Sequence, residues 1–227
     1  MSRHRCSFSF ERDLWKQDVM LIAGVDEVGR GPLAGPVTAG AVVFAPEARF
    51  RWLKRVNDSK QVLPDTREEL AALIWEKALA AAVCFVSVET IDRIGIAEAS
   101  RQAMLGALGD LGVVPDHLLL DAFPLRSCRL AQTPIIGGDG KSRSIAAASI
   151  IAKVARDRLM SAQDARYPEY GFGAHKGYYT PEHIRAIREI GPCELHRKSF
   201  EPVRSLLLGR QLKLLPEEAP APVLSSV

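Results

Sequence analysis

The apolar residues of this chain fall in short runs, and the polar residues between them are mostly turn formers. Met20 to Val25 is the first run, and it closes on two adjacent acids, Asp26 and Glu27. Val37 to Phe44 is the second, with Ala39, Gly40 and Ala41 inside it. Runs of this length bounded by turn residues read as buried strands. Between them lies Gly29-Arg30-Gly31-Pro32, whose glycines allow positive φ and whose proline fixes the exit, so the two runs form a hairpin or meander with an unusual connection. From Pro64 to about Ala82 the period changes to that of a helix. Leu70, Leu73, Ile74 and Leu79 share a stripe, and Thr66 and Glu69 have capping-box spacing. Val83 to Val88 is a further short strand, and Ala97 to Leu111 a second helix closed by Gly112. Neither helix carries a motif beyond what covers a sheet.

Two more apolar runs repeat the first device. His117 to Leu120 ends on Asp121, and Thr133 to Ile136 runs through Gly137 and Gly138 to Asp139. In α/β sheets, ligand sites form at strand ends, so acids far apart in sequence can converge there. A helix over about 144–160 follows. Its first turns are so rich in Ala and Ser that it has to pack closely, most simply on the sheet beside the acids. Lys153, Arg156 and Arg158, toward its other end, read as a solvated face.

Tyr167 to Tyr179 interleaves glycine, aromatic and basic residues, including Tyr170, Phe172, His175, Lys176 and Tyr178. Phe172 and Tyr170 suit a core, whereas aromatic plus Lys/His on a loop suits a sugar or base beside a phosphate. Thr180-Pro181 starts another helix and Gly191-Pro192 ends it. His196-Arg197-Lys198 reads as surface charge or a phosphate grip, and a short helix covers Pro202 to about Leu214. Residues 1–19 read as a loosely held extension, and the Pro/Ala/Ser-rich end, PEEAPAPVLSSV, as disordered.

Composition narrows the function. At 227 residues and a formal net charge of +3, the chain has room for one sizeable core and is no histone-like polycation, though a local basic face remains open to it. Its four cysteines show no C-x-x-C spacing, which suggests neither a zinc site nor a disulfide framework and makes a reduced cytoplasmic setting the expectation. No stretch reads as a signal peptide or membrane span.

Four carboxylates, Asp26, Glu27, Asp121 and Asp139, without a His/Cys ligand set point to Mg²⁺ or Mn²⁺. Two such ions about 4 Å apart can activate a water and stabilise the leaving oxygen of a phosphodiester. Gly29, Arg30 and Gly31 can present amides and a fixed cation to phosphate, and Ser59 with Lys60, in the turn Asn57-Asp58-Ser59-Lys60, offers another phosphate contact. Acids, basic loops and aromatic platforms together suggest a metal-dependent nuclease. Glycoside hydrolysis needs only two acids and leaves the Gly-Arg-Gly turn and basic clusters unexplained.

The motifs DEVGRGPLAG (26–35), DSK (58–60), Leu120-Asp121, Gly138-Asp139, AASIIAKVARD (147–157), Tyr170-Gly171-Phe172 and His175-Lys176-Gly177-Tyr178 resemble bacterial ribonuclease HII, in order, over about residues 20 to 207. The resemblance implies an α/β, ribonuclease H-like mixed β-sheet flanked by helices, with a small C-terminal helical part. It places a catalytic domain at 20–207, after the 1–19 extension and before a 208–227 tail. It further implies an endonuclease that cuts the RNA strand of RNA–DNA hybrids and ribonucleotide-containing duplex DNA, using Mn²⁺ or Mg²⁺; a monomer is the simplest expectation, and no membrane association is expected. Carried over, Asp26, Glu27, Asp121 and Asp139 match the metal-binding catalytic carboxylates. Gly29, Arg30 and Gly31 match a motif that reads the 2′-hydroxyl, and Tyr178 a tyrosine that packs on the next deoxyribose; Ser59, Lys60 and Lys176 join the expected substrate contacts. One departure is Gly137, where many relatives carry lysine; Lys141 is the nearby cation that could compensate. The rivals are ribonuclease HIII, which usually carries a long N-terminal substrate-binding domain, and an inactive nucleic-acid-binding module, against which all four intact acids speak.

Overall fold

The computed structural model describes residues 6–214, with side chains to 209. In chain order the elements are α1 (Ser9–Trp15), β1 (Ile22–Val28), β2 (Val37–Val43), α2 (Pro64–Lys77), β3 (Ala80–Val86), α3 (Val88–Ile94), α4 (Ile96–Gly109), β4 (His117–Asp121), β5 (Ala131–Ile135), α5 (Arg143–Ala162), α6 (Phe172–His175), α7 (Pro181–Ile190) and α8 (Val203–Leu214). The strands form one mixed sheet in the order β3-β2-β1-β4-β5. β1 and β2 pair antiparallel, as do β2 and β3, while β4 and β5 run parallel to β1.

Helices cover both faces. On one side α4 packs Ala99, Ala103, Met104 and Ala107 onto Ala23, Val25, Ala39, Ala41 and Val43. On the other, α5 and α2 enclose Val42, Phe44, Leu70, Ile74, Ile150 and Ile151. The small residues of α5 and the sheet explain one another. A Cβ on Gly24 would lie 2.1 Å from the Ser144 carbonyl carbon, and one on Gly40 would lie 2.3 Å from the Ala148 carbonyl oxygen. Helix backbone therefore rests directly on strand backbone, and only glycine leaves that space. A third cluster, Leu33, Met160, Tyr170, Phe172, Ile184, Ile187 and Val203, joins the C-terminal helices to the end of α5.

Several expectations change. The N-terminal segment is held from Cys6 onward: Phe8 packs in the α5-side core, and buried Glu11 accepts from Ser142 Oγ at 2.7 Å and the Ser144 amide at 3.0 Å. An acid at the start of a helix satisfies amides that have no partner within the helix, which is why this segment is not loose. The capping box at Thr66 does not form. Leu63 is the N-cap, Pro64 opens the helix, and Glu69 pairs with Arg55 instead. α2 ends at Lys77, so Leu79 is exposed beyond it and does not join the stripe. α3, which the residue pattern does not announce, starts at the Ser87 cap. The proline-rich end read as disordered, 216–227, lies outside the described residues.

Candidate active site

β1 alternates its side chains between the two faces of the sheet. Ala23 and Val25 face α4, so Gly24 and Asp26 face α5. β4 lies parallel to β1 with Val25 opposite Leu120, which sets Asp121 beside Asp26. Asp139 arrives from a different direction. Gly137, left-handed at φ 63°, turns the chain after β5 into a 3-10 turn, Gly138–Gly140, whose middle residue is Asp139; Ser142 then caps α5. The Gly138 amide donates to Asp121 Oδ1 at 2.7 Å, tying that turn to the end of β4. As a result Asp26, Asp121 and Asp139 each offer an oxygen within 4.8 Å of the others.

Glu27 differs from the other three. It lies within β1 on the opposite face from Asp26 and borders the same cleft without joining the triad. Its Oε1 accepts from Arg30 at 2.9 Å, while its Oε2 is buried without a hydrogen-bond partner. The acids also sit deeper than expected: both adjacent acids lie inside the strand, opposite Gly40 and Ala39, rather than past its end. Burial first, then the charge of Glu27, holds the Asp26 carboxyl well above the usual range. Burial, followed by Asp58 and Asp121, raises Asp139. Burial also raises Glu27, against the pull of the Arg30 hydrogen bond. Carboxylates held this close and this dry need a cation to stay ionised together. A partnerless buried carboxylate oxygen beside three converging acids, with oxygen the only donor type, fits a hard divalent ion.

The cleft, about 610 Å³, is completed by Gly29, Arg30, Gly31, Ser59, Lys60, Ser149, Lys153 and Tyr178. Gly29 has φ 82°. Among the described residues, the amides of Arg30 and Gly31 donate to no protein acceptor, and a Cβ on Gly31 would meet nothing within 4 Å. Ser59 is buried, its hydroxyl 2.9 Å from that of Ser149. Tyr178 is 39% exposed, with Lys153 Nζ 5.3 Å from its ring centre. One expected substrate contact is not brought here. Lys176, left-handed at φ 53°, directs its ammonium to Ser161 Oγ at 2.7 Å and to the Gly173 carbonyl. Nor does Lys141 stand in for a lysine at 137, because its ammonium donates to the Ile136 carbonyl at 2.8 Å.

Two basic readings reverse. Arg156 is fully buried rather than part of a solvated face, and His196 and Arg197 are buried rather than a surface cluster or phosphate grip. Charge alone does not reveal this, because the partners of the two arginines are backbone carbonyls and that of His196 is another histidine brought close by folding, none of which has a sequence signature. Ser149 and Lys153 could have been found from their spacing: they stand four residues apart, and Arg156 seven from Ser149, on one side of a helix.

The model of the family described as ribonuclease HII matches residues 23–203. A ribonuclease HII from Moorella thermoacetica is 53% identical over 194 residues, covering 86% of this chain and 93% of the relative. Among solved structures, the ribonuclease H2 from Pyrococcus horikoshii superposes with a TM-score of 0.68 at 26% identity, over 85% of this chain and 99% of that one. The RNase HII of Archaeoglobus fulgidus, solved as a complex with PCNA, gives a TM-score of 0.68 at 28% identity, over 80% and 96%.

Proposed function

The chain belongs to the ribonuclease HII family of metal-dependent endoribonucleases, and from that premise we propose that it hydrolyses the RNA strand of RNA–DNA hybrids and nicks duplex DNA on the 5′ side of a single embedded ribonucleotide, leaving 3′-hydroxyl and 5′-phosphate ends. The observation that carries the proposal is the convergence of Asp26, Asp121 and Asp139 beside a glycine turn with undonated amides.

Asp26, Asp121 and Asp139, with Glu27, would hold Mn²⁺ or Mg²⁺. When bound, two such ions supply activation of a water and stabilisation of the departing 3′ oxygen. The chain's own groups do the selecting. The amides of Arg30 and Gly31 form a surface a ribose can approach closely, and the 2′-hydroxyl is the group that separates RNA from DNA. Tyr178, half-exposed with Lys153 beside it, offers an apolar face to the next deoxyribose. Lys60 and Ser59 lie on the cleft wall, where a phosphate would pass. The proposed setting is a reducing cytoplasm, in keeping with four free cysteines, and the proposed working unit is the monomer.

The test compares three duplexes in Mn²⁺ and in Mg²⁺: one with a single ribonucleotide, a uniform hybrid, and DNA only. The first two are cut and the third is not. Asp121→Asn abolishes cutting and leaves duplex binding largely in place. Cutting of DNA at a comparable rate, or survival of cutting in Asp121→Asn, overturns the reading.

A further inference from the structure

Arg156 and Arg197 are both enclosed, and neither forms an ion pair among the described residues. Their donors go to backbone carbonyls. Arg197 donates from Nε to Gly35 O at 3.0 Å, from Nη1 to Arg30 O at 2.7 Å, and from Nη2 to Gly29 O at 2.5 Å and Gly35 O at 2.9 Å. Arg156 donates from Nε to Pro36 O at 2.9 Å, from Nη2 to Ala34 O at 3.0 Å, and from Nη1 to Lys176 O at 3.0 Å.

These bonds form a linked series. Arg197 fastens the carbonyls of the Gly29-Arg30-Gly31 turn to Gly35, leaving the amides of Arg30 and Gly31 undonated at the cleft. Arg156 fastens the neighbouring carbonyls, Ala34 and Pro36, to Lys176, two residues before Tyr178. Gly29 itself rests on Arg156, since a Cβ there would lie 2.2 Å from Nε. The two cleft walls proposed to meet successive sugars are thus joined through two guanidinium forks. A buried cation without a carboxylate is costly unless its donors are satisfied, and a planar five-donor fork can satisfy several carbonyls at fixed angles. A lysine keeps the charge and loses that geometry.

We infer that Arg156 and Arg197 are positioning residues that set the spacing between the Gly29-Arg30-Gly31 turn and Tyr178, and thereby the preference for a ribonucleotide followed by a deoxynucleotide. The inference rests on the function proposed above. It is tested with Arg197→Lys and Arg156→Lys in the full chain. Readouts are thermal melting, Mn²⁺ binding by calorimetry, and kcat/KM on a single-ribonucleotide duplex relative to a uniform hybrid. Both variants fold and bind Mn²⁺ as the parent does, while the single-ribonucleotide preference falls at least tenfold; adding Tyr178→Ala to Arg156→Lys lowers it little further. A preference within twofold of the parent's in the folded variants overturns the inference. So does failure of both lysine variants to fold, since that makes the arginines structural only. If the parent itself shows no ribonucleotide requirement, it is the proposed function that fails.

Discussion

The imidazoles of His183 and His196 meet Nε2 to Nε2 at 3.0 Å. The surrounding bonds assign their protons. His183 Nδ1 faces the Tyr178 carbonyl at 2.8 Å and must donate, so its Nε2 is bare and accepts from His196 Nε2–H. His196 Nδ1 is then bare and accepts from the Cys193 amide at 3.0 Å. This relay, neutral throughout, holds the backbone of Tyr178.

Acid breaks it. Burial pushes both histidines down to about 4 from an ordinary 6.5. A base whose folded pKa is depressed leaves stability untouched above the unfolded pKa and loses it as pH falls from there to the folded pKa, here between about 6.5 and 4. The loss is on the order of 3 kcal/mol for each histidine that titrates in this window. Chemical denaturation at several pH values, comparing the parent with His183→Asn/His196→Asn, reads it as a difference in pH slope; equal slopes would refute the relay.

The acid cluster has the opposite sign. Asp26, Glu27 and Asp139 bind protons more tightly when folded than when unfolded, burial being the leading cause in each. Without divalent ions, their ionisation therefore destabilises the fold at neutral pH, and the penalty shrinks as pH falls toward their raised pKa values. Asp26→Asn melts higher than the parent in chelator at pH 7.5, by roughly 2–4 °C for about 1 kcal/mol, while losing cleavage. Mn²⁺ raises the melting temperature of the parent and has a much smaller effect on the variant. A variant that melts lower in chelator contradicts the assignment.

Gly29 and Gly31 are two residues apart and differ in what they tolerate. Gly29→Ala forces a side chain onto Arg156 at φ 82° and is expected to cost about 2 kcal/mol or more together with activity. Gly31→Ala meets open space and is expected to cost about 1 kcal/mol or less, so any loss of cleavage there reports on ligand approach rather than on folding. Melting curves and nicking rates on the same preparations separate the two cases.

From a distance, Glu11 supports the turn that carries Asp139. It accepts from Ser142 and Ser144, and the Ser7 amide and carbonyl bond to Lys141 and Arg143, so the N-terminal segment brackets the chain just after Asp139. Glu11→Ala leaves buried donors unpaired and is expected to cost about 2 kcal/mol in urea denaturation, whereas Glu11→Gln, which keeps an acceptor oxygen, costs less. Equal losses would mean that packing, not the hydrogen bonds, holds this segment.

What the sequence alone determined is whatever depends on local spacing. Apolar runs marked β2 and β4 to within one residue and β1, β3 and β5 to within two or three. The Ala/Ser content of α5 announced a close helix–sheet contact, because backbone can meet backbone only where side chains are small, and the structure supplies the matching glycines, Gly24 and Gly40. The four acids were visible too, because each follows an apolar run, although Asp26 and Glu27 proved to lie inside β1 rather than past its end. Tertiary structure decided which charges are enclosed and where each side chain points. Arg156, Arg197 and His196 looked like surface residues because their partners are carbonyls or another histidine brought close by folding, and a carbonyl is present at every position of any sequence. Likewise the strand's two-residue period set Asp26 and Glu27 on opposite faces, but only the pairing of β4 with β1 and the turn after β5 brought Asp121 and Asp139 to Asp26 and left Glu27 outside the triad.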